Sequence, residues 1–432
     1  MKIVQVSEAL SFGDAISNDV VAIDKLLKEN ELSGGIFVTN RNNIDKRYLN
    51  NIAKTIDDFP VMNKEDILLL HHAIANDFCY ALPKLKCKKV LVYHNITPPS
   101  FFDGISDGLR NATAKGLVQA KFMSNKVDCC IADSEFNKNN LEEMGYKCPI
   151  YVCPVLIPFD DYEADPNPEI VNEFQDDWVN ILFVGRLSPN KKQEDIIRTY
   201  AIYKKHYNEK ARLFLVGNDS MDIYADSLRE YARKLQLDDV YITGSVPFQN
   251  LIAYYRIADV FLCMSEHEGF CVPIVEAMYF NVPVVAYKSS AVPGTIGDSG
   301  ILLKEKDFLL TAAVINEVST NEILSNWIIE RQQDKIKDYY YNNVATKIVG
   351  ILKSISREED QEEKGNTSPN NEFDALIVIK ASDWPIAKKS LPFIKTNINP
   401  KRIVIVSSTE LLKELPNYDK CVFIDENKIL DG

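Results

Sequence analysis

The sequence predicts an α/β protein of two doubly wound domains followed by a small α/β segment, and three observations carry that reading. Short apolar, β-branched runs recur along the first 305 residues, separated by stretches with helical spacing. This is the pattern of parallel strands buried on both faces by helices. A polar, acidic interruption from Asp160 to Asp177, holding Pro166 and Pro168, splits the runs into two series and reads as an interdomain connection rather than an element. At 432 residues and 46% hydrophobic content, the chain exceeds a single core, which seldom grows past about 250 to 300 residues.

In the first series, strands are expected at Lys2 to Val6, Gly35 to Val38, Ile67 to Leu70, Val90 to Tyr93, Cys129 to Ala132 and Ile150 to Val152. In the second, they are expected at Ile181 to Val184, Leu213 to Val216, Val240 to Ile242, Val260 to Leu262, Val284 to Ala286 and Ile301 to Leu303. Asn321 to Ile355, with Trp327, Ile328, Ile336, Val344 and Ile348, has helical character and no strand signal. It is expected to close the second domain or brace one domain against the other. Ser356 to Glu372 is polar and acidic, so burial cannot offset its ordering entropy and it reads as a linker. Beyond it come a strand (Ala375 to Ile379), a helix (Trp384 to Ile394), a strand (Ile403 to Val406), a short helix (Glu410 to Leu415) and a strand (Cys421 to Ile424). That core is thin, and the segment is either the start of a larger domain or a small appendage. The expected units are therefore 1–160, 161–355, 356–372 and 373–432.

Charge and cysteine usage narrow the function classes. Forty-nine basic against sixty-two acidic side chains leave a net charge of -13, which disfavours nucleic acid and anionic lipid as partners. Met1 runs straight into the apolar Ile3 to Val6 without a leader pattern, and no window reaches the roughly 18 apolar residues of a membrane span. The nine cysteines are odd in number and form no CxxC pair, which fits reduced core thiols in a cytoplasmic protein.

The stretch Ser265 to Met278, SEHEGFCVPIVEAM, carries the most chemical information. Pro273 suits the first turn of a helix, so Glu266 to Cys271 forms a loop at the carboxyl end of a parallel strand, where open α/β sheets bind ligands. The amides of Gly269, Phe270 and Cys271 can face an anion there, helped by the helix dipole. Glu268 and Glu276 place one carboxylate in the loop and one on the helix, both able to accept hydrogen bonds from hydroxyls. Upstream, FVGRLSPNKK (Phe183 to Lys192) runs a strand into a turn bearing Arg186 and two lysines, Lys191 and Lys192, cations suited to phosphate.

Glu-x7-Glu within EGFCVPIVEAM resembles the signature of retaining glycosyltransferases of family 4, whose two Rossmann-like domains form the GT-B fold around a cleft. The similarity covers roughly Met1 to Ile355, and Cys271 departs from the glycine or small residue often found there. The resemblance implies an acceptor-facing N-terminal domain and a donor-binding C-terminal domain. It implies transfer of a sugar from a nucleotide diphosphate sugar to a glycan or glycolipid acceptor, in polysaccharide or cell-surface glycan assembly, with Glu268 near the sugar and Glu276 on the ribose. Arg186 and Lys191, or Lys192 in the alternative register, would stabilise the leaving diphosphate, so no metal cofactor is expected in the first two domains. Gly13, after the first strand, would let backbone approach the phosphates, and His94, at the end of Val90 to Tyr93, resembles a family histidine facing the donor sugar. Gly217 and the loop Gly244 to Pro247 are similar to the family's nucleotide loops, a resemblance that implies contact between the Val246 backbone and the base.

Other strand-end residues stay open between roles. Ser134 and Glu135 suit either the cleft or a helix N-cap. His71 and His72 could approach the acceptor; as a metal pair they lack a third ligand at a recognisable spacing. The terminal segment is similar to the opening of a GT-A-like transferase domain. There Asp425 and Glu426 could begin a metal site, and the segment could dock partner proteins. Rival classes are a noncatalytic nucleotide-sugar-binding or scaffold subunit, a sugar-nucleotide epimerase, and a glycoside hydrolase, whose two acids would have to flank one bond.

Overall fold

The computed structural model describes residues 1–49 and 51–357, and the strands 374–378, 402–407 and 421–425. The first sheet comprises β1 (Ile3–Ser7), β2 (Ser33–Val38), β3 (Ala53–Thr55), β4 (Ile67–His72), β5 (Lys88–Tyr93), β6 (Cys129–Ala132) and β7 (Ile150–Val152). Its helices are α1 (Ala15–Glu29), α2 (Asp107–Met123) and α3 (Glu135–Glu143). All strands pair in parallel in the order β3-β2-β1-β4-β5-β6-β7. The order reverses between β1 and β4, and that reversal opens a crevice at the carboxyl ends of those strands.

The second sheet repeats the plan. After α4 (Pro168–Phe174) come β8 (Val179–Val184), α5 (Gln193–His206), β9 (Ala211–Val216), α6 (Asp222–Lys234), β10 (Val240–Gly244) and α7 (Phe248–Ile257). Then follow β11 (Val260–Cys263), α8 (Val272–Tyr279), β12 (Val284–Tyr287), α9 (Val292–Ile296) and β13 (Ile301–Leu303). The order β10-β9-β8-β11-β12-β13 puts its reversal between β8 and β11, the two strands that feed the motifs singled out above. All twelve strands expected in the first 305 residues are present within a few residues of their expected ends. The thirteenth, β3, has no apolar run: it is a three-residue edge strand whose only buried side chain is Ala53.

The helices after the second sheet are α10 (Phe308–Thr320), α11 (Glu322–Lys335) and α12 (Tyr341–Arg357). The tract expected to be one helix is thus broken at a 3-10 turn, Ile336–Tyr339, whose Ile336 and Tyr339 are buried in the second core. On α12, Val344, Ile348, Ile351, Leu352 and Ile355 recur at helical spacing and pack with Ile67, Leu69, Val90 and Val92 of the first sheet. The chain therefore crosses back, and its last helix covers the N-terminal domain beside Ile23 and Leu27 of α1.

Two expectations need correction. Asp160 to Asp177 is not a structureless connection: it holds α4, and Phe159, Tyr162, Ile170 and Phe174 belong to the second core. Ser356 and Arg357 extend α12 rather than open a linker. The rest of that segment, the two terminal helices and Glu426 lie outside the described residues. Glu359–Gly432 forms a unit by itself, in which β14 (Asp374–Val378), β15 (Arg402–Ser407) and β16 (Cys421–Asp425) pair in parallel in sequential order. Asp425 is the last residue of β16.

Eight cysteines of residues 1–357 form no disulfide, and of these all but Cys148 are buried; no helix among the described residues is long and apolar enough to cross a membrane. The role of α12 has a direct test. Ile348→Ala should lower stability by about 2 to 5 kcal/mol, the usual cost of emptying a core aliphatic site, measured by denaturant unfolding followed by circular dichroism. An unchanged midpoint would show that α12 does not brace the first sheet.

Candidate active site

The loops after β8 and β11 lie side by side because Asn190 pins them. Its carbonyl accepts from the Glu266 amide at 2.8 Å, and its Nδ2 donates to the His267 carbonyl at 3.0 Å. That pinning brings Lys191 Nζ to 2.5 Å from Glu268 Oε2. Burial works against the Lys191 charge, but the Glu268 carboxylate outweighs it and lifts the lysine above its ordinary pKa. Lys192 sits in the left-handed region and its ammonium lies 3.5 Å from both Glu194 and Glu266. Of the two adjacent bases, Lys191 is the one that meets Glu268. Arg186 is exposed, and among the described residues its guanidinium has no hydrogen-bond or ion-pair partner.

Glu268 is fixed by its own backbone: its amide donates to Ser290 Oγ at 2.7 Å, and its carbonyl accepts from the Ala291 amide. The next three amides, of Gly269, Phe270 and Cys271, have no acceptor among the described residues. They stand at the N-terminus of α8, where a helix presents unsatisfied donors and a positive dipole end. Cys271 is the N-cap, with φ of +77°. That conformation explains why glycine suits the position, since a larger residue there carries strain of roughly 1 kcal/mol or more. Phe270 is buried against Tyr339, and its carbonyl accepts from Thr295 Oγ1, so only its backbone is available to a ligand.

Glu276 is already engaged. Tyr162 Oη donates to Oε1 at 2.5 Å and Tyr255 Oη to Oε2 at 2.7 Å. Burial raises the Glu276 carboxyl, and the two hydroxyls pull it part of the way back. Both tyrosines escaped the sequence reading, although Tyr162 lies in the stretch taken for a connection. A carboxylate oxygen has room for a second hydrogen bond, so a ligand hydroxyl can share or replace these partners.

The N-terminal domain reaches this loop directly. A Cβ on Gly269 would lie 2.5 Å from the His94 carbonyl oxygen and 2.9 Å from Asn95 Cβ, so only glycine fits there. Ser134 Oγ donates to the Gly269 carbonyl at 2.7 Å while also capping α3 through the Asn137 amide, which unites the two roles left open for it. His267 Nε2 lies 2.7 Å from Asn95 Oδ1.

Several expected residues take other places. His94 does not turn its ring to the cleft: Nδ1 is 2.9 Å from Asp133 Oδ2 and Nε2 is 2.9 Å from His71 Nδ1. Burial disfavours its charge, and Asp133 overcomes this and raises its pKa. His71 and His72 are buried too, His72 bonding the Gly116 carbonyl, so neither faces an acceptor. Gly217 is a packing glycine, where a Cβ would lie 2.2 Å from the Gly185 carbonyl oxygen. Val246 is half-buried beside the second core. Gly13, at φ +76°, has open space where its Cβ would be.

Residues 167–335 match the family model described as glycosyl transferases group 1, and this stretch contains both pinned loops. The chain carries a glycosyltransferase domain of the GT-B fold. The chain is similar, at 27% identity over 57% of its length and 67% of the relative's, to an uncharacterized 41.2 kDa protein in the cps region of Klebsiella pneumoniae. An O-antigen chain mannosyltransferase B of Escherichia coli is 24% identical over 43% of the chain and 49% of the relative. A D-inositol 3-phosphate glycosyltransferase of Corynebacterium kroppenstedtii is 33% identical over 29% of the chain and 30% of the relative. The matches to the last two therefore span half of those relatives or less. Among solved structures, Anabaena HepE in complex with UDP and glucose superposes with a TM-score of 0.63 at 16% identity, covering 82% of this chain and all of that one. Sucrose-phosphate synthase from Thermosynechococcus elongatus gives 0.64 at 14%, covering 82% and 99%. These likenesses extend the GT-B fold across both domains of the glycosyltransferase.

The close approach at Gly269 yields an expected outcome. Gly269→Ala must push the loop away from His94, and a displacement of about 1 Å costs on the order of 100-fold in rate. Turnover should fall on that scale while circular dichroism and unfolding midpoint change little. Normal turnover would show that the two loops are not in contact in the working enzyme.

Proposed function

We propose that this protein transfers a sugar from a nucleotide diphosphate sugar to a glycan or glycolipid acceptor, retaining the anomeric configuration. The observation that carries the reading is the Lys191–Glu268 pair set beside the three unpartnered amides of Gly269, Phe270 and Cys271. Negative charge develops on a departing diphosphate, and preorganised donors at that point lower the barrier most. Arg186 and Lys191 meet that charge, and the α8 amides add to it. The acceptor hydroxyl attacks the anomeric carbon on the face that the diphosphate leaves. As the old carbon–oxygen bond breaks and the new one forms, the departing phosphate oxygen takes the hydroxyl proton. Two cations make a metal at the diphosphate unnecessary. A cytoplasmic site fits the supply of nucleotide sugars, and the O-antigen and cps relatives favour a surface polysaccharide as the acceptor.

Glu268 serves the sugar and Glu276 the ribose. Glu276 binds ribose alike in ground and transition states, so Glu276→Gln should raise KM with a smaller change in kcat. Glu268 lies nearer the carbon that gains positive character, and Glu268→Gln should cut turnover by about 100-fold or more, the scale of ~3 to 4 kcal/mol. Steady-state kinetics beside direct nucleotide titration separates the two. Normal turnover with weakened affinity in Glu268→Gln would reverse the assigned roles.

Excess magnesium or manganese should leave nucleotide diphosphate affinity within about twofold, because Arg186 and Lys191 occupy the metal's role. A much larger gain on metal addition would overturn the two-cation reading. A nucleotide sugar that binds yet is neither transferred nor hydrolysed in any acceptor mixture would favour a noncatalytic subunit.

A further inference from the structure

The buried polar groups under the cleft form a constellation that sugar transfer does not explain. His71 from the end of β4, His94 just after β5 and Asp19 from α1 bring one ligand atom each to within 4.8 Å of one another, and all three residues are buried. Their sequence positions, 19, 71 and 94, give no recognisable spacing, and the fold supplies the third ligand that the pair His71 and His72 lacks on paper.

Hydrogen-bond logic fixes what lies between the two imidazoles. Gln5 Nε2 donates to the Val20 carbonyl at 3.1 Å, which turns Gln5 Oε1, an acceptor, toward His71 Nε2 at 2.9 Å. His71 Nε2 is therefore the protonated nitrogen, and His71 Nδ1 presents a lone pair. Asp133 Oδ2 accepts at 2.9 Å from His94 Nδ1, so the neutral form of His94 presents a lone pair at Nε2. Those two nitrogens face each other at 2.9 Å. Two lone pairs at that distance need a positive centre beside them: a proton on the line between them, or a metal ion set off that line toward Asp19, which at metal–nitrogen distances of about 2.0 to 2.1 Å requires the two rings to turn slightly. Histidine ligands of metals donate their outer N–H to a carboxylate or an amide oxygen in this manner.

The charge inventory fits a metal ion. Asp19 and Asp133 are both buried, and among the described residues neither is ion-paired to lysine or arginine. One proton on His94 balances one of the two carboxylates and leaves Asp19, which burial pushes up to about 7, to take a proton of its own, whereas a dication with two neutral imidazoles balances both with the carboxylates ionised. The second buried cluster, Cys263, Glu268 and Cys271, differs in this respect, because Lys191 already supplies its positive charge.

We propose that Asp19, His71 and His94 hold one divalent transition-metal ion of the zinc class, with Asp133 and Gln5 orienting the two imidazoles. Two imidazoles and a carboxylate suit such an ion, and burial of all three residues keeps it from substrate. It ties α1 to the ends of β4 and β5 and sets the backbone at His94, whose carbonyl meets Gly269.

The test uses the full-length protein, dialysed against a chelator and titrated with Co2+. One equivalent should bind with visible ligand-field bands, no thiolate charge-transfer band in the near ultraviolet, and displacement by Zn2+. His71→Gln and Asp19→Asn should weaken Co2+ binding by at least about tenfold, and Asp133→Asn by about 10- to 100-fold, as for orienting partners elsewhere. Circular dichroism checks the fold of each variant, and the wild-type titration decides even where a variant unfolds. Folded wild-type protein without a stoichiometric band means that a proton alone bridges the histidines and overturns the proposal. So does a thiolate band, which would put the ion at the cysteine cluster, or an unchanged affinity in folded His71→Gln.

Discussion

A lysine ammonium held away from water needs an anion beside it, and the second domain is arranged around that need. Lys191 is brought to Glu268 by two loops that are 77 residues apart in sequence and adjacent only because β8 pairs with β11 at the reversal of strand order. Desolvation consumes much of the Coulombic gain in such a pair. Its stabilising value is therefore small beside the cost of removing one partner, which strands the other as a buried charge at about 3 to 5 kcal/mol. The surrounding bonds are accordingly redundant: Asn190 ties loop to loop, Ser290 and Ala291 hold Glu268 from behind, and Gln193 ties α5 to the Arg186 carbonyl.

The two domains are joined by more than the chain between them. Phe102, on a 3-10 turn of the N-terminal half, is buried in the core of the second domain, and α12 returns the favour by lying on the first sheet. Between these anchors the contact at Gly269 is made of backbone and short side chains. A loop that tolerates no Cβ is also one whose position is sensitive to small changes beneath it. This is why the groups holding His94 from below bear on the geometry above.

How far the sequence disclosed this depends on the range of the interaction. Parallel strands buried on both faces announce themselves as apolar runs, so their positions were readable, whereas β3 contributes one buried alanine and left no trace. The acidic stretch from Asp160 to Asp177 misled because its three buried aromatic and aliphatic side chains, Tyr162, Ile170 and Phe174, are spread among carboxylates. Strand-end loops were readable because topology sends ligands there, and Glu268, Gly269 and Lys191 do converge. The ring of His94 was not. A strand-end histidine looks alike whether it faces the cleft or a neighbouring strand, and its partner Asp133 lies 39 residues away. Tyr162 and Tyr255 were hidden for the same reason, 114 and 21 residues from Glu276.

The resting site can be described by what it leaves unsatisfied. Glu268 has Lys191, and Glu276 has two tyrosines, so both acids are already partnered. Among the described residues, the groups of the site without a partner are donors: the Arg186 guanidinium and the amides of Gly269, Phe270 and Cys271, at the positive end of α8. Such a site has little to offer an uncharged sugar and much to offer a polyanion. A diphosphate fills the unsatisfied donors outright, whereas sugar and ribose hydroxyls gain only by exchange with bonds the protein already makes. On the function proposed above, binding strength resides in the phosphates, and the glutamates act as selectors, repaying their displaced lysine and tyrosine bonds only when hydroxyls of matching placement arrive.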